Sequence, residues 1–398
     1  MPASPSAARA INNRETLLLL RDGPLTAGQV ARLTGLSRQT VADLLKGLGE
    51  AGLIEVVGQD DVRRRGPNAQ LYGIVRTRAH VAALDVRTHS VAVVVADLLG
   101  DVLAEASTPI APGIPTTRAV ARTLDLLTDA TSEAGAQTLH SIGIGVPGLV
   151  QPGTGELRGT PGPQWHGRVL TELRTRLHGR LVVENETNTA AVAEHRLGTA
   201  RDREAFALLW LGHGTGAALV LGGALHRGAS GGAGELGYLP VPDQGLADRV
   251  RAAAPDRAAP DPEQPKGFHA LAGSPAVVEL GAAHGIVVEP VDHEPPAAAV
   301  VRAAVANGQH AFLDDLADRV VVAAASVVAV LDPGCLVLGG EIGHAGGDAL
   351  AGRVADRLAA RSPAPTAVRY SALGGSAVLR GALLAACDAA QEELFEEG

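Results

Sequence analysis

Between residues 37 and 48 the apolar side chains Val41, Leu44, Leu45 and Leu48 recur at i, i+3, i+4 and i+7, the spacing of one buried helical stripe. The other face carries Arg38, Gln39, Thr40 and Lys46, and Ser37 stands where a helix needs its N-cap. Upstream, Thr26-Ala27-Gly28-Gln29 has the form of a capping box and predicts a helix from there to Gly35, where the chain must turn sharply. A first helical stretch around Asn13 to Arg21 is stopped by Asp22-Gly23-Pro24. Gly52 to Val57 and Gln70 to Val75 then read as two strands around the basic segment Arg63-Arg64-Arg65-Gly66-Pro67. Three short helices and a hairpin predict a winged helix-turn-helix over residues 1–76, with Ala31 as the small contact, Gly35 as the turn and Val41 as the apolar anchor. Its third helix would bring Ser37, Arg38, Gln39 and Thr40 to a major groove, with Lys46 further along. Arg63, Arg64 and Arg65 would grip phosphates or enter the minor groove. A three-helix unit with this periodicity can also bind a protein partner, and that alternative stays open.

From Ala79 the pattern changes. Val81–Asp85, Ser90–Asp97, Val102–Glu105, Ser141–Val146, Leu181–Glu184, Phe206–Leu211 and Cys335–Leu338 read as strands. Helical spacing covers Thr117 to Ala130, Leu170 to Leu177, Thr189 to Leu197 and Phe312 to Val330, so the body is expected to be α/β. Glycine clusters follow two strands, at Gly212-His213-Gly214-Thr215-Gly216 and at Gly339-Gly340. Tight strand-to-helix turns explain them most simply; close approach of backbone to a phosphate is the other reading.

Charge alters the picture more than composition does. The chain of 398 residues has a net charge of −9, which as a whole argues against a nucleic-acid partner. Residues 1–76, however, hold ten basic and seven acidic side chains, so this head carries +3 and the remainder −12. That asymmetry suits a double-stranded DNA partner for the head alone. No run of about 18 uncharged apolar residues occurs and the N-terminus lacks a signal-peptide core, so no membrane contact and a cytoplasmic location are expected. Cys335 and Cys387 are too far apart for a disulfide framework or a metal knuckle.

The order of five body segments is distinctive: Ile142-Gly143-Ile144-Gly145-Val146-Pro147-Gly148, Val183-Glu184-Asn185-Glu186-Thr187-Asn188, the Gly212 to Gly216 cluster, Gly231-Gly232-Ala233-Gly234-Glu235-Leu236-Gly237-Tyr238, and Asp332-Pro333-Gly334-Cys335-Leu336-Val337-Leu338-Gly339-Gly340. Together they resemble the ROK family of sugar kinases and repressors over about residues 79 to 390, and Arg65-Gly66-Pro67 resembles the wing element of ROK repressors. The resemblance implies a two-lobed, actin-like or ribonuclease-H-like body with a ligand between the lobes. The divisions would be a first lobe at 77–190, joined by a C-terminal helix at 378–398 that packs back, and an oligomerising second lobe at 191–377. It further implies homodimers or homotetramers, an inverted-repeat operator, and a sugar or sugar derivative as effector.

Several family features are altered. The kinases' Asp-x-Gly-Gly-Thr phosphate loop is here Asp85-Val86-Arg87-Thr88-His89, with side chains where backbone alone must leave room. Glu186 stands at the position of the family's catalytic Asp, and Tyr238 at that of a zinc-binding His, with no cysteine until Cys335. Asp243 to Lys266, charged and rich in Ala and Pro, reads as a solvated or mobile loop. The expectation is therefore a regulator, a repressor, rather than an enzyme, with no catalytic residue, cofactor or metal. Carried across by position, the effector contacts would be Gly148, Thr160, Asn185, Glu186, Glu235, Tyr238 and His269, since amides and carboxylates suit a hydroxyl-rich ligand. Asn185 and Asn188 could instead cap the helix near Thr189, Glu235 could serve the glycine turn, and Tyr238 could pack with His269 as filler. Two further alternatives are an active ATP-dependent sugar kinase and a regulator with no small ligand.

Overall fold

The computed structural model describes residues 5–60, 69–158, 164–176, 179–241, 267–289 and 294–397. The wing arginines Arg63, Arg64 and Arg65, the Thr160 position and the loop from Asp243 to Lys266 lie outside the described residues.

The head begins with α1 (Pro5–Arg21), longer than its apolar pattern indicated, then β1 (Leu25–Thr26) and α2 (Ala27–Thr34). The capping box forms: Thr26 Oγ1 accepts from Gln29 N at 3.2 Å, and the Gln29 side chain accepts from Thr26 N at 2.7 Å. Gly35 adopts φ 73°, the left-handed conformation that lets the chain reverse into α3 (Arg38–Glu50). Val41, Leu44, Leu45 and Leu48 are all buried. β2 (Ile54–Gln59) and β3 (Gln70–Ile74) pair antiparallel, with β1 on the other edge of β3.

The body repeats one topology twice. The first sheet comprises β4 (His80–Val86), β5 (Ser90–Asp97), β6 (Val102–Pro109), β7 (Ser141–Val146) and, after the small hairpin β8 (Leu149–Val150) and β9 (Leu157–Arg158), β10 (Arg180–Asn185). Its order is β10-β7-β4-β5-β6: three antiparallel meander strands continued by two parallel ones. The second sheet holds β11 (Phe206–Leu211), β12 (Thr215–Leu221), β13 (Ala224–His226), β14 (Cys335–Gly339) and β15 (Ala367–Tyr370) in the equivalent order β13-β12-β11-β14-β15. Fully buried strands such as β7, β11 and β14 are nearly continuous apolar runs because helices cover both faces of the sheets.

Helices α4 (Thr116–Glu133) and α5 (Trp165–Arg176) pack Leu124, Leu127, Val169, Leu170 and Leu173 on one face of the first sheet. Between the sheets lies α6 (Glu186–Arg196). The outer face of the second sheet is covered by α7 (His269–Ala272), α8 (Ser274–Ala283), α9 (Pro296–Ala306), α10 (His310–Leu331) and α11 (Gly340–Ala359). The last helix, α12 (Ala377–Glu397), crosses the inner face of the first sheet and packs along α6. The architecture is a winged helix-turn-helix joined to a two-lobed, actin-like α/β body.

Two expectations need correction. The Gly212 to Gly216 cluster is no strand-to-helix turn: it links antiparallel β11 and β12, with Gly212 N donating to Gly214 O at 3.0 Å. Gly339-Gly340 does connect a strand to a helix, and Gly340 takes φ 74°. The helix expected from Thr189 starts three residues earlier, at Glu186, because Asn185 supplies its cap.

Candidate functional site

Asn185 ends β10, and its Oδ1 accepts from the backbone N–H groups of Thr187 at 2.8 Å and Asn188 at 3.2 Å. Its Nδ2 donates to Gly148 O at 2.9 Å, which ties the β7–β8 turn to the start of α6. Of the readings left open for Asn185, capping is therefore the one its geometry fulfils. Asn188 turns back to Glu184 Oε1 at 3.0 Å, and Glu184 Oε2 takes Arg227 from the second sheet's side at 2.5 Å.

Glu186 opens α6 beside the other lobe. Thr187 approaches Gly216 of β12, and Gly234 lies against Ala217 so closely that any Cβ there would strike its carbonyl oxygen. This brings the Glu235 turn toward Glu186, near enough for the Glu235 carboxylate to disfavour ionisation of Glu186. His269 sits over Gly214 and Gly237; its Nδ1 accepts from Thr215 N at 3.0 Å, which leaves the proton on Nε2 in the neutral ring. Burial lowers the His269 pKa and raises that of Glu235. Tyr238 is 59% exposed and meets His269 edge-on at 5.7 Å between centroids. Asn185 is thus bonded to Gly148 and adjoins Glu186, Glu235 lies within electrostatic reach of Glu186, and His269 packs over the glycines beside Glu235, with the exposed Tyr238 against it.

A second group of side chains fills the adjoining part of the cleft. Arg87, in the β4–β5 turn, pairs through Nε with Asp85 at 2.7 Å and through Nη1 with Glu341 of α11 at 2.8 Å, while Nη2 donates to Gly375 O. His166 donates from Nε2 to Arg87 O at 3.2 Å, and burial holds its pKa down at about 4. His89 and His213 meet edge-to-face across the cleft, centroids 5.5 Å apart. Asp85 and Glu341 are both driven upward in pKa by burial and pulled down by Arg87, and Asp85 Oδ1 has no hydrogen-bond partner among the described residues. Glu186 feels all of this: burial first, then Asp85 and Glu341, raise its pKa to about 8, with Arg87 opposing.

Sequence reasoning located Asp85 and Arg87 but treated them only as a departure from a glycine loop. Asp85 lies near the end of β4 and Arg87 just beyond it, close enough in sequence for opposite charges to pair. Glu341 lies 254 residues further along, beyond any local signal. The donor set for zinc does not fit: Tyr238 replaces a ligand, Cys335 and Cys387 are buried in β14 and α12, and no group of three or more candidate ligands assembles among the described residues.

In the head, Ser37, Arg38, Gln39, Thr40 and Lys46 are exposed on α3. Ser37 Oγ accepts from Thr40 N at 3.1 Å, Gln39 leans on Asp43 at 3.2 Å and Lys46 reaches Glu50 at 3.8 Å. Arg38 has no hydrogen-bond or ion-pair partner among the described residues.

Comparison with known proteins agrees with this architecture. The ROK family profile matches residues 81–389, and that of the MarR family matches residues 15–65. Among curated relatives, the DNA-binding transcriptional dual regulator NagC of Escherichia coli K12 is 28% identical over 227 residues, 55% of this chain and 54% of that protein. The xylose repressor of Bacillus subtilis is 23% identical over 238 residues, 58% and 60% of the two chains. The chain spans about half the length of the curated relatives it matches. A solved ROK family transcriptional regulator, described as a homolog of the E. coli MLC protein, superposes with a TM-score of 0.71 at 20% identity, covering 98% of this chain and all of the other. A ROK family glucokinase from Streptomyces griseus, in complex with glucose and AMPPNP, gives 0.61 at 21% identity over 78% of this chain and all of its own. At those identities the two structures speak for the fold.

Proposed function

Because the chain belongs to the ROK family, we propose that it is a sequence-specific DNA-binding transcriptional regulator, a repressor, whose body assembles into dimers or tetramers and senses a small sugar-like effector. The observation that carries this reading is the first turn of α3: Ser37, Arg38, Gln39 and Thr40 are exposed, and Arg38 is free of partners among the described residues. Arg and Gln side chains in such a turn match the paired acceptors and donors on base edges. The domain divisions that go with it are a head at 1–76, a first lobe at 77–190 carrying the C-terminal helix, and a second lobe at 191–377.

The body is read as a sensor and not an enzyme because Arg87 occupies the turn that a kinase would leave to glycine, with three of its five donors directed at Asp85, Glu341 and Gly375. Phosphoryl transfer depends on positioning that such a turn does not supply. The remaining cleft, with Glu186, Glu235 and His269, offers polar groups suited to hydroxyls. Two heads held at fixed separation by the body would read an inverted repeat.

Footprinting with genomic fragments, including the gene's own promoter, tests the reading. A discrete protected inverted repeat is expected, and Arg38→Ala should cost about 1–3 kcal/mol on that site with little change on random DNA. Absence of any discrete protection at low salt refutes it.

A further inference from the structure

Helix α12 has one end at the cleft and the other in the head. It follows directly on Gly374-Gly375-Ser376, and Gly375 O takes a hydrogen bond from Arg87. At its 21 residues it reaches roughly 31 Å at 1.5 Å per residue. Along the way it is wedged without slack. Gly381 faces Thr189 of α6, and Ala382 O faces Gly143 of β7, at distances where a Cβ on either glycine would collide. Ser141 Oγ donates to Ala386 O at 2.7 Å, and Gln391 Nε2 to Leu98 O at 2.8 Å. At the far end Leu394 and Phe395, both buried, share one apolar core with Leu17 and Leu20 of α1 and with Val41, Leu44 and Leu48 of α3.

Resting on the regulator reading above, we propose that α12 is the rigid lever by which occupancy of the cleft reaches the DNA-binding head, with Arg87 as the clasp that holds the lever's cleft end. Arg87 belongs to the first sheet's β4–β5 turn, while Glu341 belongs to α11 against the second sheet, so the clasp also bridges the two lobes. A ligand settling beside Glu186 enters the same group of charges and competes for the guanidinium or for its carboxylate partners. Once the guanidinium leaves Gly375 O, the turn at 374–376 is released. Near that turn α12 cannot bend around its contacts with Thr189 and Gly143, and Ser141 holds it further along at Ala386, so movement at the turn is passed on to α1. Packed interfaces respond in this way, by switching between discrete arrangements and not by gradual deformation.

Hydrogen exchange on the full-length protein, with neither DNA nor ligand present, tests the lever. Arg87→Met removes the clasp; Glu341→Gln weakens it while preserving shape, and decides the matter if Arg87→Met does not fold. Both should accelerate exchange by about fivefold or more in α12 and in α1, with little change in β11 and β14. Arg357→Met, which cuts the surface pairs to Asp314 and Asp318, should perturb only α10 and α11. Acceleration confined to residues 374–380 with α1 unchanged overturns the proposal, as does an equal rise across both sheets. Because DNA and ligand are absent, such a result would sink the lever and leave the regulator reading to the footprint.

Discussion

Glu186 shares its surroundings with three other carboxyl groups, those of Asp85, Glu341 and Glu235, and one guanidinium, that of Arg87. Burial first, and then these carboxyl groups, keep its proton on to about pH 8 in the folded protein, against an ordinary value of 4.5. When folding raises the pKa of an acid, the folded state holds a proton that the unfolded state has lost, so stability falls as pH rises between those two values and levels off above the higher one. Glu186→Gln keeps the shape and the neutral form without the titration. Thermal denaturation from pH 4 to 9 should show the variant and wild type nearly equal at the acid end, with the variant gaining about 4 kcal/mol by pH 8. A difference that does not change with pH would contradict the buried, protonated Glu186. The sequence offered Glu186 as a substitution at a family position and, carried across by position, as an effector contact. Its proton affinity depends on Glu341 and Glu235, which no spacing rule connects to it.

At the scale of elements, local chemistry was legible and packing was not. The Thr26 capping box, the Gly35 turn and the Ser37 cap involve groups within four residues of one another, and all three form. Strands Ser90–Asp97, Ser141–Val146 and Phe206–Leu211 begin and end where their apolar runs do. β12 went unnoticed because its first residues lie in a glycine-rich segment, and α9 because eleven residues rich in Ala and Val carry no polar face to reveal a period. Helix α12 hides its most important feature in the same way. Gly381, in the second turn of the helix, looks like a weak point that Ala should improve by roughly 0.5–1 kcal/mol. The contact with Thr189 reverses that expectation: Gly381→Ala should destabilise by about 2 kcal/mol or more, since backbone must move to admit the methyl group. Gly352 of α11 has open space around it, so Gly352→Ala should show the propensity gain that Gly381→Ala does not. Denaturant midpoints of the two variants make the comparison, and two stabilising results would refute the close packing of α12 on α6.

For the whole molecule, the connection between head and body decides how binding at one end is felt at the other. The head does not complete its own core. Leu17, Leu20, Val41, Leu44, Leu45, Leu48 and Ile54 share one cluster with Ala79, Val81 and Leu98 of the first lobe and with Ala386, Ala390, Leu394 and Phe395 of α12. Arg76 adds ion pairs to Asp97 and Asp101 where the two units join. A unit of this size buries little apolar surface when isolated and is marginally stable, so the borrowed residues matter more to the head than to the body. Phe395→Ala removes a side chain that is 2% exposed, and a buried Phe→Ala change costs about 3–5 kcal/mol. That loss should fall mainly on the head. In scanning calorimetry the wild type should unfold head and first lobe together, whereas Phe395→Ala should bring out a separate, earlier transition for the head, accompanied by hydrogen exchange in α1 to α3 before the sheets open. If the variant simply lowers one undivided transition, the head and body form a single cooperative unit by routes other than α12. If the early transition is seen, the helix that follows the turn held by Arg87 also supplies the head's stability at its far end, so the head can loosen while the body stays folded.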